Sequence, residues 1–197
     1  RYSPEAKIVG PISWQMRYVR SGIPDVVVVD EQCIRTDILE AAKAHGMPLI
    51  ATSEKVCLGL PDRTADAADA IVADLTGGRS PGAFILDPEK VGEVAVKTAL
   101  AVAPARRAAR NAPYRVDPRE EAGRCGGCGF CQRACPNDLN VPKAMQACAA
   151  GDTGMLAALY DACLGCTRCE HACPQGIPVH SCILAAAGES IRNERFS

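Results

Sequence analysis

The chain has 197 residues, 48% of them hydrophobic and 23% charged, with a net charge of −1 at neutral pH; this suits one or two folded domains. Near-neutrality excludes an electrostatic grip on nucleic acid or an anionic membrane, and a 4% aromatic content excludes a set of base-stacking platforms. No apolar run approaches the roughly 20 residues that a bilayer demands, so no membrane span is expected.

No secretory leader is visible. The sequence begins with Arg1 and opens in mid-pattern, which points to a piece of a longer chain. In chain order, Ile8-Val9-Gly10 reads as the end of a strand, and Ile12 to Arg20 as a helix. Val26-Val27-Val28-Val29-Asp30 is a β-branched run typical of a strand buried on both faces. Thr36 is placed to cap a helix that runs to about His45 and stops at Gly46. Pro48 to Thr52 is the next strand, Asp66 to Leu75 a helix broken by Gly77-Gly78, and Ala83 to Leu86 another strand. Pro88 to Ala103 is a strong helix with Pro88 in its first turn. Strands alternating with helices over residues 1–102 imply an α/β unit with a parallel sheet.

Residues 103–122 read as a linker. They hold Pro104, Pro113 and Pro118 among Arg106, Arg107, Arg110, Arg115 and Arg119, either a solvated connector or a basic patch for an acidic redox partner. Residues 123–186 carry clustered cysteines, and residues 187–197 read as a polar trailing segment.

Twelve cysteines are present, and nine fall between Cys125 and Cys173, eight of them in two regular runs. Their regular spacing inside one segment favours metal ligation in a reducing cytoplasm over a disulfide framework. The first run is Cys125-x2-Cys128-x2-Cys131-x3-Cys135-Pro136, and the second is Cys163-x2-Cys166-x2-Cys169-x3-Cys173-Pro174. This is the bacterial ferredoxin run twice over, in which the fourth cysteine of each run serves the other [4Fe–4S] cluster. One cluster is therefore assigned to Cys125, Cys128, Cys131 and Cys173, and the other to Cys163, Cys166, Cys169 and Cys135. Structural zinc uses two CxxC pairs, not two runs of four ending in Cys-Pro.

Gly126, Gly127, Gly129 and Gly165 relax the cluster loops, whose backbone N–H groups can point at sulfur. Phe130, Leu164 and Ile177 are expected to exclude water. The cysteine motif is the one internal repeat, and Val141 to Tyr160 between the runs reads as helical. Cluster loops joined by helices resemble the α-helical ferredoxin arrangement of fumarate reductase and heterodisulfide reductase iron–sulfur subunits. Cys57, Cys148 and Cys182 read as buried thiols. His171 and His180 flank the second run, placed either for ordinary packing or for a tuning hydrogen bond. His45 sits at a helix C-terminus, where positive charge is favoured. Cys33 follows the strand ending at Asp30, and ligands of open α/β sheets bind at carboxyl ends of strands. Position alone leaves Cys33 a site residue or an inert thiol.

Val28-Val29-Asp30-Glu31-Gln32-Cys33-Ile34 resembles the strand and turn that carry an active-site cysteine in nickel–iron–sulfur carbon monoxide dehydrogenases. Leu49-Ile50-Ala51-Thr52-Ser53-Glu54-Lys55 looks like that family's strand ending in Thr-Ser-Asp-Lys. A ferredoxin insert after this region is similar to the archaeal acetyl-CoA decarbonylase/synthase alpha subunits. The resemblance implies a Rossmann-like α/β unit followed by an α-helical two-cluster ferredoxin-like domain. It implies oxidation of CO with water to CO2, two protons and two electrons, within the acetyl-CoA pathway of methanogens. It also implies a Ni–Fe–S cluster to which this chain gives Cys33 alone, a soluble acceptor such as ferredoxin, other subunits of a multienzyme complex, homo-oligomers and a cytoplasmic location. The alternative is a freestanding electron-transfer subunit of another anaerobic complex, similar to those of heterodisulfide reductase. No Gly-x-Gly-x-x-Gly follows any strand, so a nucleotide-binding reading has no motif behind it.

Overall fold

A computed structural model describes residues 10–32, 35, 37–110 and 116–194. The chain divides into two compact units, Arg1–Arg110 and Asn111–Ser197. The strand expected at Ile8-Val9 and the cap expected at Thr36 lie outside the described residues, as does Cys33.

In the first unit, a 3-10 turn (Ile12–Trp14) leads into α1 (Gln15–Arg20). Three parallel strands follow, β1 (Val27–Val29), β2 (Leu49–Ala51) and β3 (Gly82–Phe84), in the order β1-β2-β3. Val27 pairs with Leu49, and Leu49 with Gly82. Between the strands lie α2 (Ile38–Ala44) and α3 (Ala68–Thr76), and α4 (Pro88–Arg110) follows. β2 is buried at all three residues because it is central. Among the described residues β1 lies at the edge of the sheet, and Val28 is 47% exposed rather than buried on both faces as its composition suggested. β3 opens on a glycine of necessity: a Cβ at Gly82 would stand 2.3 Å from the Leu49 carbonyl oxygen.

Two cores form, one on each face of the sheet. Met16, Val19, Ile38 and Ala42 from α1 and α2 cover Val27, Val29, Leu49, Ala51 and Phe84. Ile71, Leu75 and Val94 from α3 and α4 cover Ile50, Ala83 and Ile85. Truncating a fully buried residue such as Ile50 to Ala costs about 2–5 kcal/mol. Consecutive strands with right-handed connections would place both intervening helices on one face. The connection out of β2 explains why α3 lies on the other. It turns through Glu54–Val56 and passes to the far side of β3, where Asp62 bridges Phe84 in parallel. Helix α3 then leads back to β3 across the opposite face.

Helix α4 overruns the expected linker. Asp87 accepts the backbone N–H groups of Glu89 (3.0 Å) and Lys90 (3.3 Å) at its start. The helix then continues through Pro104 to Arg110. Arg106, expected in a solvated or docking stretch, is instead tied to the carbonyls of Gly22 (2.7 Å), Pro24 (2.9 Å) and His45, with Asp25 at 3.4 Å. Those contacts anchor the end of α4 to the chain entering β1.

The second unit is helical: α5 (Pro118–Gly123), α6 (Phe130–Arg133), α7 (Val141–Ala149), α8 (Gly154–Ala158), a 3-10 turn (Leu159–Ala162), α9 (Arg168–His171) and α10 (Val179–Glu194). Asp117 caps α5 by accepting from Arg119 N–H at 2.8 Å, so Pro118 starts a helix that packs on α7 instead of extending a linker. The helix expected over Val141 to Tyr160 breaks at Gly151, whose φ of 102° no helix contains. The expected trailing segment continues α10 to Glu194, because Ala187 and Ile191 are each only 2% exposed and belong to the core. Among the described residues no helix is long and apolar enough to cross a membrane.

Candidate iron–sulfur site

The two cysteine runs start 38 residues apart, and the backbone repeats with them. Gly127 and Gly129 have φ of 70° and 75°; Gly165 and Thr167, 38 residues on, have 65° and 58°. Asp138 and Gly176 match in the same way, at 48° and 62°. The chain must turn left-handed twice between successive cysteines to fold three of them around one centre, and glycine does so without Cβ strain. Thr167 does so against the preference of a β-branched residue.

Two hollows result. The first is lined by Cys125, Cys128, Cys131 and Cys173; the second by Cys163, Cys166, Cys169 and Cys135. Each run therefore lends its fourth cysteine to the hollow of the other. Apolar residues of the remaining lining repeat in register: Ile177, Val179 and Met145 in the first, Leu139, Val141 and Ile183 in the second. Ile177 apart, the Cys-Pro endings do not point to these residues, although the apolar pattern Leu139/Ile177 and Val141/Val179 carries the repeat on. Leu164 and Ile177 line hollows as expected; Phe130 does not, and is 48% exposed.

The electrostatics suit anionic sulfur balanced by metal. The Gly165 N–H donates to Cys163 Sγ at 3.4 Å. Burial pushes the Cys169 thiol up to about 12, with the Glu170 carboxylate adding to it, and burial raises Cys131 too. Without a cation such thiols stay protonated; a bound metal reverses that balance and releases the protons. Among the described residues no three His, Cys, Asp or Glu side chains converge tightly enough for a single ion. Four cysteines instead line each hollow.

His180 is 2% exposed and lines the second hollow, in the place that Pro142 takes in the first. Its backbone N–H donates to Glu170 Oε1 at 2.8 Å. His171 is exposed. Cys148 and Cys182 are fully buried, and Cys148 Sγ donates to the Pro118 carbonyl at 3.3 Å. Cys57 packs against the first core of the α/β unit. At the carboxyl ends of β1 and β2, the Thr52 N–H and hydroxyl both donate to the Val29 carbonyl, at 3.0 and 3.1 Å. Lys55 Nζ meets Glu31 Oε2 at 3.0 Å. The exit loops of the two strands are thus tied together.

Residues 124–178 match the 4Fe-4S dicluster domain family. The alpha subunit of the acetyl-CoA decarbonylase/synthase complex of Methanothermobacter thermautotrophicus is 53% identical over 156 residues, 79% of this chain and 20% of the relative. The alpha 1 subunit of Methanosarcina mazei is 42% identical over 99% of this chain and 24% of its own length. That of Methanopyrus kandleri is 46% identical over 82% of this chain and 21% of its own. The chain is homologous to acetyl-CoA decarbonylase/synthase complex alpha subunits. It spans about a fifth to a quarter of the length of these curated relatives. In the Methanosarcina mazei relative the match takes in both the α/β unit and the cysteine runs, so the two units occur together in one homologous stretch.

Proposed function

We propose that this chain is the electron-conducting part of an anaerobic carbon monoxide dehydrogenase of the acetyl-CoA decarbonylase/synthase type. The observation that carries the reading is the exchange of fourth cysteines between two apolar hollows, inside a stretch homologous to these alpha subunits. Cys125, Cys128, Cys131 and Cys173 would hold one [4Fe–4S] cluster, and Cys163, Cys166, Cys169 and Cys135 the other. Such clusters supply reversible one-electron chemistry at potentials set by hydrogen bonds to sulfur and by solvent access. The chain's own contribution is to hold four thiolates around each hollow, to screen them with Ile177, Val179, Leu139 and Val141, and to donate the Gly165 N–H toward sulfur.

The α/β unit, which we read as Rossmann-like from its parallel order and alternating helices, would present Cys33 at a strand end as one ligand of a Ni–Fe–S centre. The reaction is CO + H2O → CO2 + 2 H+ + 2 e−. The electrons would reach a soluble acceptor of the ferredoxin class, within a cytoplasmic, oligomeric, multi-subunit complex.

The test is composition. Anaerobically prepared protein should contain about eight irons and eight acid-labile sulfides per chain, as two cubanes require. Stoichiometric zinc without sulfide would overturn the reading.

A further inference from the structure

The two motifs share a backbone but not a surface. In the first, Gly126, Gly127, Cys128 and Phe130 are exposed. In the second, Cys163 and Gly165 are buried, and Leu164, Cys166 and Thr167 are half-buried. The sequence accounts for part of this: Leu164 stands where the first motif has Gly126, and Arg168 where it has Phe130. A phenylalanine left 48% accessible forgoes burial that would stabilise the fold. Phe130 is moreover held in place, since the Arg133 guanidinium lies 4.5 Å over its ring. Arg133 enters no ion pair among the described residues, so its charge stays available to a partner. Aromatic residues and arginine are the side chains that most often dominate protein–protein contacts.

We infer that the Gly126–Phe130 loop is the port through which electrons leave for an external one-electron iron–sulfur carrier, with Phe130 and Arg133 as its contact and an acidic rim on the carrier facing Arg133. The inference rests on the cluster reading above and adds a direction to it: the first hollow is terminal and the second internal. The step balances simply. One electron passes from the chain to each oxidised carrier; the chain is oxidised and the carrier reduced by one, no bond is made or broken, and no proton moves. Electron transfer weakens steeply with distance, so the hollow with an exposed cysteine and glycine wall is the one a carrier can approach.

The experiment uses the intact subunit carrying this chain, with a bacterial two-cluster ferredoxin as the probe. Phe130→Ser should lower the second-order rate of ferredoxin reduction about tenfold, as loss of an interface anchor does. Iron and sulfide content and reduction by dithionite should not change. Arg168→Ser, the matched position in the second motif, should leave the rate within about twofold. A soluble gadolinium chelate should speed the electron spin relaxation of the cluster lost in the Cys128→Ala variant more than that of the other. Equal slowing by both substitutions, a loss confined to Arg168→Ser, or equal relaxation of both clusters would overturn the port. Absence of iron–sulfur clusters from the unsubstituted subunit would overturn the cluster reading instead, and the two failures are thereby told apart.

Discussion

Thr167 shows what one residue contributes. It stands at φ 58° where the first motif has Gly129 at 75°. A β-branched side chain in the left-handed region stores about 1–2 kcal/mol, which its hydroxyl bond to the Cys166 carbonyl at 2.8 Å helps offset. Thr167→Gly should raise stability by about 1 kcal/mol, read as a higher denaturation midpoint of the anaerobic protein; a lower midpoint would refute the strain. His45 makes the complementary case. Its place at a helix end suggested a favoured positive charge, but burial and the nearby Arg106 guanidinium both hold its pKa below the ordinary value. The folded protein keeps His45 neutral while the unfolded chain takes up a proton below about pH 6.5. Stability should therefore fall as pH drops through 6.5, and His45→Gln should flatten that fall in urea titrations at pH 7.5 and 5.5. An unchanged slope would place the titration elsewhere.

At the scale of elements, the repeat makes a prediction that composition alone does not. If fourth cysteines are exchanged, Cys135→Ala should damage the cluster of Cys163, Cys166 and Cys169, and Cys173→Ala that of Cys125, Cys128 and Cys131. Low-temperature EPR of each variant distinguishes this from damage within the same run. Much of this level was legible beforehand. The strands at Val27, Leu49 and Gly82 each sit in β-branched or apolar runs, and the helices before Gly46 and Gly77 end near those glycines. The cysteine spacing named the eight lining thiols. The errors share a cause. Pro104 and Pro118 fall in the stretch expected to be a linker, yet α4 accommodates one internally and α5 uses the other at its first position. Likewise Ala187 and Ile191 looked like a polar tail because tertiary burial, not local composition, keeps α10 going. The detour that carries α3 to the second face depends on the bridge at Asp62, which no local pattern announces.

At the scale of the whole molecule, the α/β unit and the cysteine runs belong to one homologous stretch, although their chemistry differs. A nickel centre needs several ligands held by more than one strand end and supported from behind. In the intact subunit, Cys33→Ala should abolish CO-dependent viologen reduction while the iron–sulfur EPR signals of the helical unit persist. Full activity in that variant would remove Cys33 from the site. The crossing of cysteines between hollows bears, finally, on biosynthesis. The four-cysteine set of the second hollow is incomplete until Cys169 is made, and that of the first until Cys173. Both sets become complete within four residues of each other. A nascent chain emerging from the ribosome thus presents no finished four-thiolate cradle until almost all of this segment has been translated. Iron and sulfide delivery becomes a late, paired event, and a chain stalled before residue 169 offers scavenging metals only incomplete sets of thiols.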